Sequence, residues 1–571
     1  MAKRIAVDPI TRIEGHLRIE AKLEGGKIVD AWSSSTAFRG VETILKGRDP
    51  RDAHHFTQRF CGVCTTVHSM ASIRAVEDAL KIEIPDNARL LRNLIMGIQN
   101  VQDHVIHFYH LHALDWVDIT SALQADPKKT AQLAQSISDW PNSSVKHFEA
   151  VKARVAKFAT SSSGLGPFQN AYWGHKAYKL PPEANLMAVA HYLEALEWQK
   201  EVIKIHAVLG SKNPHPQTFL VGGMSTPIHP DSQNAINADK IAYLMKLFKQ
   251  AREFVEKVYI PDVLAVAPFY LDWAGIGGGV GNFLSYGDFP ESGGNDVGSY
   301  YFPRGVIMGK DLANLMEMDE AKITEYVTNS WYNYAQGDDK GLHPYKGETK
   351  HNYTGPKPPY EWLDTNQKYS WVKSPRYMDQ PMEVGPLARI LVAYVGGNKE
   401  VKAAVDFVLK TLNAPASALF STLGRTAARA VDCLVLAQRN ETWLQQLADN
   451  MGRGIYEVHN KEKWDPSTWP KEAQGYGTHE APRGALGHWI RIEDQKIANY
   501  QAVVPSTWNA GPRDAMGQKG PYESALIGTP IADPNKPVEI LRTIHSFDPC
   551  LACAVHVMDG NGSEIIRVKA L

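Results

Sequence analysis

The stretch SFDPCLACAVH, residues 546–556, places Cys550 and Cys553 two residues apart between Asp548 and His556. A second pair, Cys61 and Cys64, lies far upstream in QRFCGVCTTVHSM, residues 58–70. The chain has 5 cysteines in 571 residues, so the two pairs and the isolated Cys433 account for every thiol. So few thiols cannot form a disulfide framework of the small secreted kind, and paired C-x-x-C motifs point to metal binding or redox chemistry. If both pairs serve one site, the fold must bring the two ends of the chain together.

Bulk properties narrow the classes. With 44% hydrophobic residues the chain can bury a sizeable core, and a formal net charge of −1 provides no global field to recruit nucleic acid or anionic lipid. The opening MAKRIAVDPITRIEGHLRIE has no apolar signal-type run, and no uninterrupted apolar stretch is long enough to cross a bilayer. The expectation is a chain with no export signal of its own, no direct membrane span and no nucleic-acid partner.

Local patterns divide the chain into a helical middle and two β-rich ends. HLRIEAKLEGGKIVDAWSS, residues 16–34, alternates around an EGGK turn and reads as a hairpin, and HWIRIEDQKIANYQAVV, residues 488–504, reads as a second. From Asp86 onward, Leu91, Leu94, Ile98, Val101, Val105 and Phe108 step by three and four, one apolar helix face behind an Asp or Asn cap. Residues 185–210, 240–259 and 424–451 behave likewise. Two Gly/Pro-rich stretches, 277–303 and 337–362, read as long surface excursions. The fold expected is mainly α with small antiparallel β-sheets (α+β): a long-helix bundle core, with the N- and C-terminal segments converging on a buried metal site.

Three chemistries compete for the cysteines. A four-thiolate structural zinc is the usual meaning of two C-x-x-C pairs. Against it, structural zinc knuckles close short loops in modules that lack a core, and a closed zinc site has no need of the ionisable neighbours Arg59, His68, Asp548 and His556. A thioredoxin-like redox motif would follow a strand and open a helix in a βαβ unit, which neither pair does. The third reading is a catalytic thiolate site for a softer metal such as nickel or iron, where a terminal sulfur can also accept a proton.

Seven motifs, in chain order, carry a family resemblance: RIEGHLRIE (12–20), FRGVE (38–42), RFCGVCTTVH (59–68), DHVIHFYHLHALDWVD (103–118), EAPRGALGHW (480–489), VVPSTWN (503–509) and SFDPCLACAVH. Together they resemble the large subunit of a nickel-iron hydrogenase of the membrane-associated uptake class. The resemblance implies a catalytic subunit that cleaves H2 heterolytically and reversibly. Its four thiolates would hold nickel, Cys61 and Cys550 as terminal ligands and Cys64 and Cys553 as bridges to an iron carrying carbon monoxide and cyanide.

The resemblance also implies roles for other residues. Glu14, which on its own would read as a surface glutamate of a hairpin, becomes the carboxylate that receives the proton from the terminal thiolate. Arg483 overhangs the metals and donates to a cyanide, with Asp103 and Asp548 forming a charged canopy. The same guanidinium has been cast as the base, a role ill suited to a group that keeps its proton above about pH 12. Ser506 and the backbone at Pro482 supply the remaining cyanide donors. Glu42, the Ala502 carbonyl and His556 form a Mg²⁺ site, and His68 stands behind Cys64. His107 and His110 read as hydrogen-bonded core histidines. Val63 and Leu111 match positions lining a gas channel, and core packing accounts for them equally well.

Partners follow from thiol arithmetic. An iron-sulfur cluster needs about four cysteines, and only Cys433 remains outside the pairs, so the electron relay belongs to another polypeptide. The resemblance identifies it as a small iron-sulfur subunit whose signal exports both chains to the periplasmic side of the cytoplasmic membrane. A membrane electron-transfer subunit would then pass electrons to a quinone pool. It further implies that residues 1–556 form a single domain and that residues 557–571 are an extension removed by a maturation endopeptidase.

Overall fold

The computed structural model describes residues 3–36, 38, 40–161, 165–169, 171–293, 296–356 and 362–551. Cys553, His556 and the extension 557–571 lie outside the described residues. Helix accounts for about 47% of the structure and the sheets are small and antiparallel, as the sequence patterns require.

The N-terminal sheet has the order β1 (Lys3–Val7), β2 (Leu17–Glu24), β3 (Lys27–Ser35). The β2–β3 hairpin closes through Gly25 and Gly26, at φ 58° and 76°, a conformation that side chains with a Cβ disfavour. A second three-stranded sheet runs β4 (Glu472–Ala481), β5 (Gly484–Glu493), β6 (Lys496–Val503). The β5–β6 pair matches the hairpin read at 488–504. β4 was not legible, because Gly475 and Gly477 interrupt its pattern. Their role is close approach: helix α1 (Val67–Leu80) lies against the strand, and a Cβ on Gly477 would sit 2.1 Å from the Ala71 carbonyl oxygen.

Long helices form the body: α2 (Asp86–Ile106), α3 (Pro182–Gly210), α4 (Ala238–Phe254) and α5 (Thr422–Gly452). The predicted stripe on α2 is buried, and so is its polar side, including Arg92, Asn100, Asp103 and His104. The expected Asp or Asn cap is corrected. Pro85 precedes the helix without a side-chain cap bond, and Asp86 pairs instead with Arg89 one turn on, at 2.7 Å. The stretch 277–303 is corrected as well. Phe283, Leu284, Phe289 and Phe302 are buried in short strand pairs, with buried Tyr286 between two of the strands, so these side chains fill the core. Among the described residues no helix is long and apolar enough to cross a membrane.

Two apolar clusters show how the chain ends meet. Ile5, Leu17 and Ile19 of the first sheet pack with Ile540 and Ile544 of α6 (Val538–Ser546) and with Phe547 and Leu551 beyond it. Phe60, Cys61, Cys64 and Val67 pack with Ala481, Leu486, Ala502, Val504 and Cys550. Burial of such side chains is worth about 1.5–3 kcal/mol each. The convergence is therefore held by ordinary hydrophobic packing, before any metal is considered.

Candidate metal centre

Each element delivers one part of the site. A short 3₁₀ turn, Gln58–Phe60, ends at Cys61 in extended conformation, and Cys64 stands just before α1. The backbone N–H of Val63 donates to the Cys61 sulfur at 3.2 Å, a contact that favours the thiolate. Cys550 arrives from the other end, after α6 and the left-handed Asp548 at φ 59°. Its backbone N–H donates to Ser506 Oγ at 3.0 Å.

The Cys61 and Cys550 sulfurs are 3.5 Å apart, and the sulfurs of Cys61, Cys64 and Cys550 all lie within 4.8 Å of one another. All three residues are buried. Such a cluster of soft donors, with no disulfide among them, fits a thiophilic metal. Cys553, the fourth expected ligand, lies outside the described residues, as does His556.

Glu14 is joined to Cys550 on both backbone and side chain. The Leu551 N–H donates to the Glu14 carbonyl at 2.8 Å, the Glu14 N–H donates to the Pro549 carbonyl at 3.4 Å, and the Cys550 thiol donates to Glu14 Oε2 at 3.3 Å. The hairpin-surface reading of Glu14 is thereby replaced by one in which the carboxylate is half-buried against the sulfur.

Above the sulfurs stands Arg483. It occupies the two-residue turn Pro482–Arg483 between β4 and β5, and Gly484 follows at φ 120°, where a Cβ would also sit 2.3 Å from the Gly385 nitrogen. The Arg483 guanidinium pairs with Asp103 at 3.2 Å and with Asp548 at 3.0 Å. Burial works against its charge, yet Asp548, Cys550, Asp103 and Cys64 together hold its pKa well above the usual arginine value. Asp103 is also shifted upward, which for a carboxyl disfavours the charged form. Burial, reinforced by Asp548 and Cys61 against Arg483, raises its carboxyl to about 7. A small cavity beside the sulfurs is lined by Cys64, Val67, His68, Arg483, Ser506 and Cys550, among others.

Glu42 and Ala502, two of the three residues expected at a magnesium site, are adjacent. Glu42 Oε1 accepts the Ala502 N–H at 3.0 Å, and Oε2 accepts the Thr349 hydroxyl. His107 and His110 each place Nε2 on a carbonyl, of His545 at 2.7 Å and Tyr192 at 3.1 Å, but Nδ1 of both is buried without a hydrogen-bond partner, so the reading of satisfied core histidines is met at one nitrogen of each. His68 lines the cavity beside Cys64 and pairs with His488 at 3.1 Å, a partner for which the sequence carried no signal. Val63 is 39% exposed, so core packing within this chain does not account for it.

A buried hub was also missed. Asp115 contacts Arg12, His112 and His545, residues from three separate segments. HALDWVD belonged to a quoted motif, but nothing in its spacing marked Asp115.

Comparison with known proteins agrees with this geometry. The family model described as nickel-dependent hydrogenase matches residues 39–556, and one described as HoxL-like matches residues 4–34. The chain is 52% identical to the uptake hydrogenase large subunit of Bradyrhizobium diazoefficiens, over 99% of this chain and 97% of that one. It is 46% identical to the hydrogenase-1 large chain of Escherichia coli, with the same coverage. Among solved structures it is similar to the reduced nickel-iron-selenium hydrogenase of Desulfovibrio vulgaris Hildenborough, at 35% identity and TM-score 0.76, over 97% of this chain and all of that chain.

Proposed function

The chain belongs to the nickel-dependent hydrogenase family as a catalytic large subunit, and on that premise we propose how its side chains divide the work of oxidising H2. Cys61, Cys64, Cys550 and Cys553 would hold nickel together with an iron that carries carbon monoxide and cyanide. When bound, this pair of metals polarises H2 and accepts its electrons.

The protein's own groups manage the protons. The Cys550 sulfur accepts one and donates it to Glu14 Oε2, already within hydrogen-bond reach at 3.3 Å. Arg483 keeps its proton, since the surrounding acids and thiols hold its pKa well above the usual value, so it serves as a fixed donor and positive charge over the sulfurs. Asp103 and Asp548 hold the two arms of the guanidinium in place. The Ser506 hydroxyl, which lines the cavity, adds a further donor there, whereas Pro482 has no N–H and sets the turn that carries Arg483. An unpaired buried acceptor costs about 1–3 kcal/mol, so diatomic ligands there require such partners. Glu42, the Ala502 carbonyl and His556 would hold a Mg²⁺ ion, and Glu42 is brought beside Ala502 by the bond from that residue's backbone N–H.

Electrons leave through a small iron-sulfur subunit. Cys433, the one thiol outside the two pairs, is buried in α5, and burial lifts its pKa far above the thiol range. A membrane electron-transfer subunit and a quinone pool follow, with the complex on the periplasmic side, as the uptake class implies. Residues 557–571 are the segment a maturation endopeptidase removes, a reading supported by the family match ending at residue 556.

The observation that carries this proposal is the meeting of three thiols from opposite chain ends within 4.8 Å. The test is elemental analysis with infrared spectroscopy of the purified complex. Nickel and iron together, with bands from CO and CN⁻, are expected. Zinc alone, without those bands, rejects the assignment.

A further inference from the structure

The buried triad His112, Asp115 and His545 brings three side chains capable of binding a metal within 4.8 Å. It is nevertheless not a cation site. The Arg12 guanidinium sits on Asp115 Oδ1 and supplies the positive charge itself. Burial opposes ionisation of Asp115, but Arg12 foremost, with His545 and His112, holds its carboxyl well below the usual range.

The triad lies where the two chain ends are sewn together. Arg12, at φ 57°, stands two residues before Glu14, and its second arm donates to the Leu111 carbonyl at 2.5 Å. His545, five residues before Cys550, places Nδ1 2.6 Å from Asp115 Oδ2 and Nε2 2.8 Å from the Thr11 carbonyl. Each of its two nitrogens thus faces an oxygen on a different segment. The Asp115 carbonyl accepts from Arg542 Nε on α6 at 2.8 Å. One residue on a third element therefore grips the segment carrying Glu14 and the helix leading to Cys550.

We propose that Asp115 is a positioning residue for proton transfer: by clasping Arg12 and His545 it fixes the register in which Glu14 faces the Cys550 sulfur. This rests on Glu14 being the proton acceptor, as argued above. Among the described residues the Glu14 and Cys550 segments share two backbone bonds, at 2.8 and 3.4 Å, a link short enough to let them slide by fractions of an ångström without losing the fold. A positioned acid or base is sensitive to such shifts.

The experiment uses the purified complex with its small subunit, comparing Asp115→Asn, His545→Gln and Glu14→Gln. Hydrogen–deuterium exchange, the solvent isotope effect on H2 oxidation, the KM for H2 and nickel content are measured together. For Asp115→Asn the expected result is parental nickel and KM, exchange slowed about tenfold or more, and a larger solvent isotope effect. His545→Gln, which can reach only one of the two acceptors, falls between. Parental exchange and isotope effect in Asp115→Asn overturn the proposal. So does a rate loss that merely tracks lost nickel in both hub variants, since the residue is then structural only. Slow exchange in Glu14→Gln beside parental Asp115→Asn rejects the clasp alone, whereas parental exchange in Glu14→Gln rejects the acceptor itself.

Discussion

The Cys550 thiol donates a hydrogen bond to Glu14 Oε2 over 3.3 Å, although 536 residues separate the two. A carboxylate held this close to a sulfur is placed for proton exchange with it. Glu14→Gln retains the size and one hydrogen-bonding oxygen but cannot take a proton. Nickel content and H2 binding are expected to remain, with proton exchange slowed roughly 100-fold or more, the usual worth of a positioned acid–base group. Near-parental exchange defeats this assignment.

Arg483 reaches Asp103 with one arm and Asp548 with the other, at 3.2 and 3.0 Å. A lysine keeps the charge but has no planar fork to span both. Arg483→Lys is expected to bind nickel normally while turnover falls about 100-fold, in line with loss of one preorganised donor. Single-turnover assays with metal analysis check this, and a parental rate would show that the charge alone suffices.

Gly477 and helix α1 are in backbone contact. Gly477→Val puts a branched side chain where a Cβ already meets the Ala71 oxygen at 2.1 Å and the Ala75 nitrogen at 2.3 Å. Separation of α1 from β4 is expected to destabilise the protein by about 3 kcal/mol or more, and to loosen Cys64, which precedes α1. A lower denaturation midpoint together with reduced nickel occupancy is the expected outcome; an unchanged midpoint excludes close packing as the reason for glycine.

His54 lies on the short helix Ala53–Thr57 just before Cys61, and burial foremost, with the nearby charges of His55, Arg92 and Arg59, lowers its pKa from 6.5 to about 3. The folded state thus keeps it neutral while the unfolded chain protonates near 6.5. Its contribution to stability is full above that value and is lost as pH falls towards 3. Between pH 7 and 4.5 the parent should lose about 2–3 kcal/mol that His54→Gln does not lose. Urea midpoints at the two pH values measure the difference, and equal losses in both proteins contradict it.

The long helices were legible because their apolar residues repeat at helical spacing, and the hairpin at 16–34 because strands flank a Gly-Gly turn. The cysteine pairs announced that the chain ends must meet. Glu14 and Arg483 were legible only as members of motifs, since a single Glu or Arg carries no mark of its surroundings. β4 escaped because its glycines answer to α1 and not to strand propensity. The Asp115 hub escaped for a related reason: Arg12, Asp115 and His545 become neighbours only when three distant segments fold together.

The central claim is that sulfurs from both ends of the chain bind one nickel beside one iron. X-ray absorption at the nickel edge of the purified complex tests it most directly. Four sulfur neighbours and a nearby iron are the expected result, with sulfur neighbours lost in Cys61→Ser. Nickel surrounded by nitrogen and oxygen, with no iron beside it, would contradict the claim.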